Sequence, residues 1–152
     1  MQTVQTVQPG LVGLIDGPVS MLAPVFCGAC ATQNSHDAFR VGRAARTGAG
    51  VSVGFAEALA HDGKLSGRGT PLLRGVVGGL ITVAGGIGHT LAFPNPGFWT
   101  ATALARAVTI VELLTIAWIQ WKYRDTPPVS AAAKVMPGGA LVPAARSAIG
   151  QG

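Results

Sequence analysis

Leu11-Val-Gly-Leu-Ile-Asp-Gly-Pro-Val-Ser-Met-Leu-Ala-Pro-Val-Phe-Cys-Gly-Ala-Cys-Ala-Thr-Gln33 has one charged residue, Asp16, in an otherwise apolar run. A helix that crosses a bilayer needs about 17–25 mainly apolar residues, and this stretch has that length. Pro18 and Pro24 kink such a helix and release backbone carbonyls from its hydrogen-bond ladder. An ionised group at mid-membrane costs on the order of 2.5–3.5 kcal/mol on insertion scales, so Asp16 needs a polar path, a cation or a proton.

Four further segments have comparable length: Phe39 to Ala60, Gly75 to Phe93, Phe98 to Trp121 and Ser130 to Gly150. The third and fourth of the five are the clearest spans. The second contains Arg43 and Arg46, and the fifth contains Lys134, Pro137, Pro143 and Arg146. The expected fold is all-α, a multi-pass membrane helical bundle of about five helices. Residues 1–10 form a short tail before a membrane domain over 11–152.

Composition agrees. Charged residues are 11% of the 152, against roughly 25% in a soluble domain, and 49% are hydrophobic. The net charge of +5 forms no continuous basic stripe and aromatics are few, so nucleic acid is not an expected partner. The start, MQTVQTVQPG, has no basic region or cleavage site of a secretory signal, so the first apolar segment is expected to stay as a helix.

The connections carry an orientation signal. Lys64, Arg68, Arg74, Lys122 and Arg124 fall in the second and fourth connections, while the first and third contain neither Lys nor Arg. The positive-inside rule then places the N-terminus and both basic loops in the cytoplasm. Gly13/Gly17, Gly50/Gly54 and Gly75/Gly79 form small-xxx-small seams suited to close helix packing. Trp99, Trp118, Trp121 and Tyr123 lie near the ends of the fourth segment, where interfacial aromatics belong.

Chemistry rests on ionisable side chains inside these segments. Antiparallel first and second helices bring Asp16 and Glu57 to a similar depth of roughly 5–8 Å, at 1.5 Å per residue. Paired carboxylates suit a divalent cation. Burial and mutual repulsion also favour the protonated form once a metal leaves, so such a pair can exchange one for the other. An interfacial carboxylate reaching water is the alternative for each.

Ser20, Cys27 and Cys30 project within roughly 40° of Asp16 at about 100° per residue. Cys27-Gly-Ala-Cys30 has no second pair to close a zinc site and no thioredoxin-like context, so small packing residues are the simpler reading. Met21 offers a thioether or fills the core. His89, roughly 21 Å into the third segment, suits a proton relay, a metal ligand or an interhelical hydrogen bond. Glu112 lies mid-way along the fourth, about 120° from Arg106, and interhelical charge pairing is its plainest role. The metal candidates are thus Asp16, Glu57, Met21, His89 and Glu112. Asp62-Gly-Lys-Leu-Ser-Gly-Arg-Gly-Thr70 lacks the order of a phosphate loop. No nucleophile and base can be placed together, so no enzyme and no resident cofactor are expected.

Leu14-Ile-Asp-Gly-Pro-Val-Ser-Met-Leu-Ala-Pro24 and Gly48-Ala-Gly-Val-Ser-Val-Gly-Phe-Ala-Glu-Ala-Leu59 resemble the first two helices of the vacuolar iron transporter family. Asp62 to Pro71, Gly85-Gly-Ile-Gly-His-Thr-Leu91, Phe98-Trp-Thr-Ala-Thr102 and Arg124-Asp-Thr-Pro127 are similar to its bacterial branch, in which the membrane domain often follows a ferritin-like one. The resemblance runs from about Leu11 to the C-terminus. It implies a five-helix, usually homodimeric domain of the cytoplasmic (cell inner) membrane. Such a domain exports Fe²⁺, and sometimes Mn²⁺, in exchange for protons, with Asp16 and Glu57 at the matching acidic positions.

Two departures qualify the match. Val53 stands where the family often has Met, and Arg43, Arg46, Arg106, Pro143 and Arg146 stand where such domains are usually apolar. Arg46 projects within about 20° of Glu57, roughly 16 Å away along the helix. The alternative expectation is a non-transporting membrane subunit that anchors or dimerises with a ferritin-like or transporter partner.

Overall fold

The computed structural model describes residues 6–60 and 69–124. Its elements in chain order are α1 (Gln8–Thr32), α2 (Ser35–Leu59), α3 (Pro71–Gly85), the single turn α4 (Ile87–Thr90) and α5 (Phe98–Arg124), with no strand among the described residues. Three stretches are long and apolar enough to cross a membrane: Gln8–Thr32, Pro71–Thr90 and Phe98–Ile119. Among the described residues three such stretches, not the expected five, are therefore found. The helix predicted over Phe39 to Ala60 forms, but Asp37, Arg40, Arg43, Arg46 and Glu57 leave it too polar to qualify by composition. Ser130 to Gly150 lies outside the described residues.

Local chemistry sets the element ends. Gln33 takes a left-handed conformation at φ 49° and returns its N–H to Ala29 O at 2.9 Å, which closes α1. Asn34 Oδ1 then accepts from the N–H groups of His36 (2.8 Å) and Asp37 (3.4 Å), which opens α2. Two residues thus reverse the chain into an antiparallel hairpin. Thr70 is extended and Pro71 occupies the first turn of α3, where its missing N–H is harmless. α1 begins at Gln8, so part of the expected tail is already helical.

The glycine seams decide how the helices meet. Gly13 lies against the Gly78 carbonyl and Gly17 against Thr82 and Gly85, so α1 and α3 run parallel in contact. Gly50 and Gly54 meet Gly79 and Gly75, which sets α2 antiparallel to α3. Side-chain-free surfaces let these backbones touch, and dispersion between close backbones drives helix association in lipid. The apolar core, Met21, Val25, Ala29, Ala38, Phe93, Ala101 and Ala105, joins α1, α2 and α5. Val51, Phe55, Leu59, Leu72, Val76 and Leu80 point outward from α2 and α3, as lipid-facing side chains do. Trp99, Trp118 and Trp121 are also exposed, in keeping with an aromatic belt.

A Cβ at Gly13 would overlap the Gly78 carbonyl oxygen and stand 3.0 Å from Thr82 N, both fixed backbone atoms. Gly13→Ala is therefore expected to destabilise the bundle by about 1–3 kcal/mol, the usual cost of overpacking. Gly48→Ala is the control, since nothing lies within 4 Å of its added methyl. It should be neutral or gain up to about 1 kcal/mol from helix propensity. Denaturant titration in detergent micelles compares the two, and equal midpoints would show that the seam is not tightly closed.

Candidate functional site

Three carboxylates lie within the bundle, each in a different electrostatic setting. Glu57, near the end of α2, accepts from Arg74 Nη2 at 2.8 Å. The Arg74 side chain is 2% exposed and that of Glu57 16%, so this ion pair is largely withdrawn from solvent. Glu112, in the middle of α5, meets His89 Nδ1 at 2.9 Å, and His89 is fully buried. Asp16 is half-buried on α1, and its neighbour is Ser20, one turn on. The Ser20 hydroxyl donates to Asp16 O at 2.6 Å and lies 3.3 Å from Asp16 Oδ2. Among the described residues no basic group neutralises Asp16.

The expected Asp16–Glu57 pair is not brought into contact. Both the Glu57 Cγ and the Pro9 carbonyl border the space beside Gly78, so Glu57 is level with Pro9. Asp16 follows Pro9 by about two turns, or roughly 10 Å along the axis at 1.5 Å per residue. Among the described residues, no group of three or more His, Cys, Asp or Glu side chains is placed to hold a metal ion. The structure instead joins His89 to Glu112 by an interhelical hydrogen bond, which is a charge pair only when the His89 ring is protonated. Arg106 is exposed and takes no part in that pair.

Met21 is fully buried, and its Sδ and Cε occupy the space a Cβ at Gly86 would need. It fills the core at the break between α3 and α4. Cys27 and Cys30 are free thiols, both half-buried. Arg46 reaches the same break: its Cβ approaches Gly86, and its Nε is buried without a hydrogen-bond partner. Arg43 is exposed and places its guanidinium 5.7 Å from the Phe39 ring centroid, a cation–π contact. Arg146 lies outside the described residues.

Arg74 is the residue that sequence reasoning misplaced. It was expected in a cytoplasmic loop, but it sits in the first turn of α3, 1% exposed, with its N–H bonded to Thr70 O at 3.2 Å. Thr70-Pro71 was the available signal, because Pro at the first helical position marks a start four residues before Gly75. That start puts Arg74, Gly78 and Thr82 on one face at helical spacing, and all three are buried.

No family model matches the chain, no curated protein matches its sequence and no solved structure matches its fold.

Proposed function

We propose that this chain is a membrane transport domain that moves a divalent cation, Fe²⁺ with Mn²⁺ as a second cargo, out of the cytosol in exchange for protons. The observation that carries the reading is Asp16, an acid inside an apolar membrane-length helix with no basic partner among the described residues. Such a group tolerates its surroundings when a cation or a proton neutralises it, and alternation between the two is exchange. The family-like motifs around Asp16 support the same cargo. In this reading α2 crosses the cytoplasmic (cell inner) membrane alongside the helices it packs against. The N-terminus is cytoplasmic and the working unit is a homodimer. Glu57 joins the path only when Arg74 releases it.

The test is metal uptake into proteoliposomes across a pH gradient, with Fe²⁺ and Mn²⁺ compared and proton counterflow recorded. Flux of either metal coupled to proton movement supports the proposal; vesicles no leakier than empty ones overturn it. A second reading, a non-transporting membrane subunit, is favoured by one observation: Arg74 already supplies the charge a metal would bring to Glu57. Co-purification of a stoichiometric ferritin-like or transporter partner, with no flux from the isolated chain, would favour that reading.

A further inference from the structure

We infer that the cavity at the hairpin end of the bundle binds the phosphate of an anionic phospholipid. The cavity measures about 650 Å³ and is lined by Ser35, His36, Phe39, Phe93, Asn95 and Phe98 among others. The α1–α2 reversal and the α4–α5 connection meet there, because α3 runs parallel to α1 and returns the chain to the same end. Ser35 is 9% exposed, and its Oγ is buried without a hydrogen-bond partner. A buried hydroxyl left unpaired costs free energy, which a ligand acceptor would recover. Asn34, also in the lining, and Asn95 add donors. Asn34 Oδ1 accepts from the His36 and Asp37 N–H groups and Asn95 Oδ1 from that of Gly97, so each amide keeps its NH₂ to donate.

Charge and depth select the ligand. Among the described residues no Asp or Glu lines the cavity. α2 and α5 both begin at it, and the partial positive charge of a helix N-terminus favours phosphate oxygens. Arg43, two turns into α2, is exposed and holds its guanidinium 5.7 Å from the ring centroid of Phe39, a wall of the cavity. Helical side chains lean toward the N-terminus, which tilts Arg43 toward this end of the bundle. Asp37 is engaged by Arg40 at 3.7 Å, and Arg43 has no acid partner among the described residues. Trp99, next to Phe98, is 77% exposed, as an indole at headgroup level is. A ligand at that depth is a lipid headgroup, with Phe39 and Phe98 as an apolar wall for its first acyl carbons. An arginine on the outward face of α2 is tolerated when its long side chain reaches the phosphate layer.

This site rests on the membrane reading alone and not on transport through Asp16, and lipid binding tests it. The full chain in neutral detergent is titrated with dioleoylphosphatidylglycerol, and native mass spectrometry counts the lipids that stay bound. One firmly held copy is expected, with dioleoylphosphatidylcholine held more weakly; equal retention of the two overturns the assignment to an anionic lipid. Arg43→Gln should weaken the held copy by about tenfold, the scale of one hydrogen bond to a charged group. Ser35→Ala should weaken it by about threefold or more without loss of folding, because the hydroxyl has no partner within the protein. Lys122→Gln removes the same charge near the opposite end of α5 and should leave binding unchanged. Wild-type affinity in Arg43→Gln would overturn the site, and so would an equal loss in Lys122→Gln. Millimolar sodium phosphate separates the two sources of phosphate. Lipid that it fails to displace supports the headgroup, whereas displacement that depends on Arg43 and Ser35 makes free phosphate the ligand and overturns the lipid. Bound lipid without metal flux would count against the transport proposal only, and metal flux with no retained lipid against this site only.

Discussion

Glu57→Ala is expected to destabilise the bundle by about 3–5 kcal/mol, the usual cost of removing one partner from a buried ion pair. The magnitude follows from Arg74. Its side chain is 2% exposed, and a guanidinium stays charged at any accessible pH, so it cannot shed the charge that Glu57 now offsets. Replacing both residues by apolar groups of similar volume, Glu57→Leu with Arg74→Met, removes the charges together. That double variant should recover most of the loss, because desolvation offsets much of what a buried pair gains. Thermal or denaturant unfolding in micelles gives the coupling energy through a double-mutant cycle. A coupling below about 1 kcal/mol, as for exposed pairs, would show that solvent reaches the pair freely. The same double variant separates the two functional readings. Metal flux that survives in it would exclude Glu57 as an obligatory carrier and leave Asp16 in that role.

Asp16→Asn should bring metal flux down to that of empty vesicles. The amide keeps the shape and can still accept from Ser20, but it has neither a charge to attract a cation nor a site for an exchanged proton. Folding should survive, because no ion pair is broken and Asp16 is only half-buried. Removing an unneutralised acid from apolar surroundings is expected to raise stability slightly, by about 1 kcal/mol or more. Asp16→Glu keeps the charge on a longer arm, and partial flux is expected from it. Ser20→Ala removes one neutral hydrogen bond and should change flux by less than about tenfold, since such a bond is worth about 0.5–1.5 kcal/mol. Full flux in Asp16→Asn would remove the basis of the transport proposal. A loss of flux accompanied by unfolding would be separated from it by the unfolding midpoint, measured on the same preparation.

The helical class and three apolar spans were legible along the chain, because each depends on the length and composition of a single run. The reversal at Gln33-Asn34 was not: a connection over residues 34–38 was expected, and the Asn34 cap opens α2 at once. The glycine seams were legible, because spacing by four residues fixes a face whatever lies opposite it. Asp16, His89 and Glu112 stood out as ionisable groups in apolar surroundings, and all three are half-buried or buried.

Partnership was not legible. Arg74 is 17 residues from Glu57 and His89 is 23 from Glu112, and each pair forms only after helices dock in a particular register. Matching depth between Asp16 and Glu57 followed from a simple hairpin count. The glycine contacts set a different alignment, with Glu57 beside Pro9 and Gly78. Sequence alone determined which carboxylates enter an apolar bundle, because that depends on composition within a single helix. Only the tertiary structure decided which of them is already neutralised, because backbone contact at Gly13, Gly50 and Gly79 fixes helix register, and register chooses the neighbour across the gap.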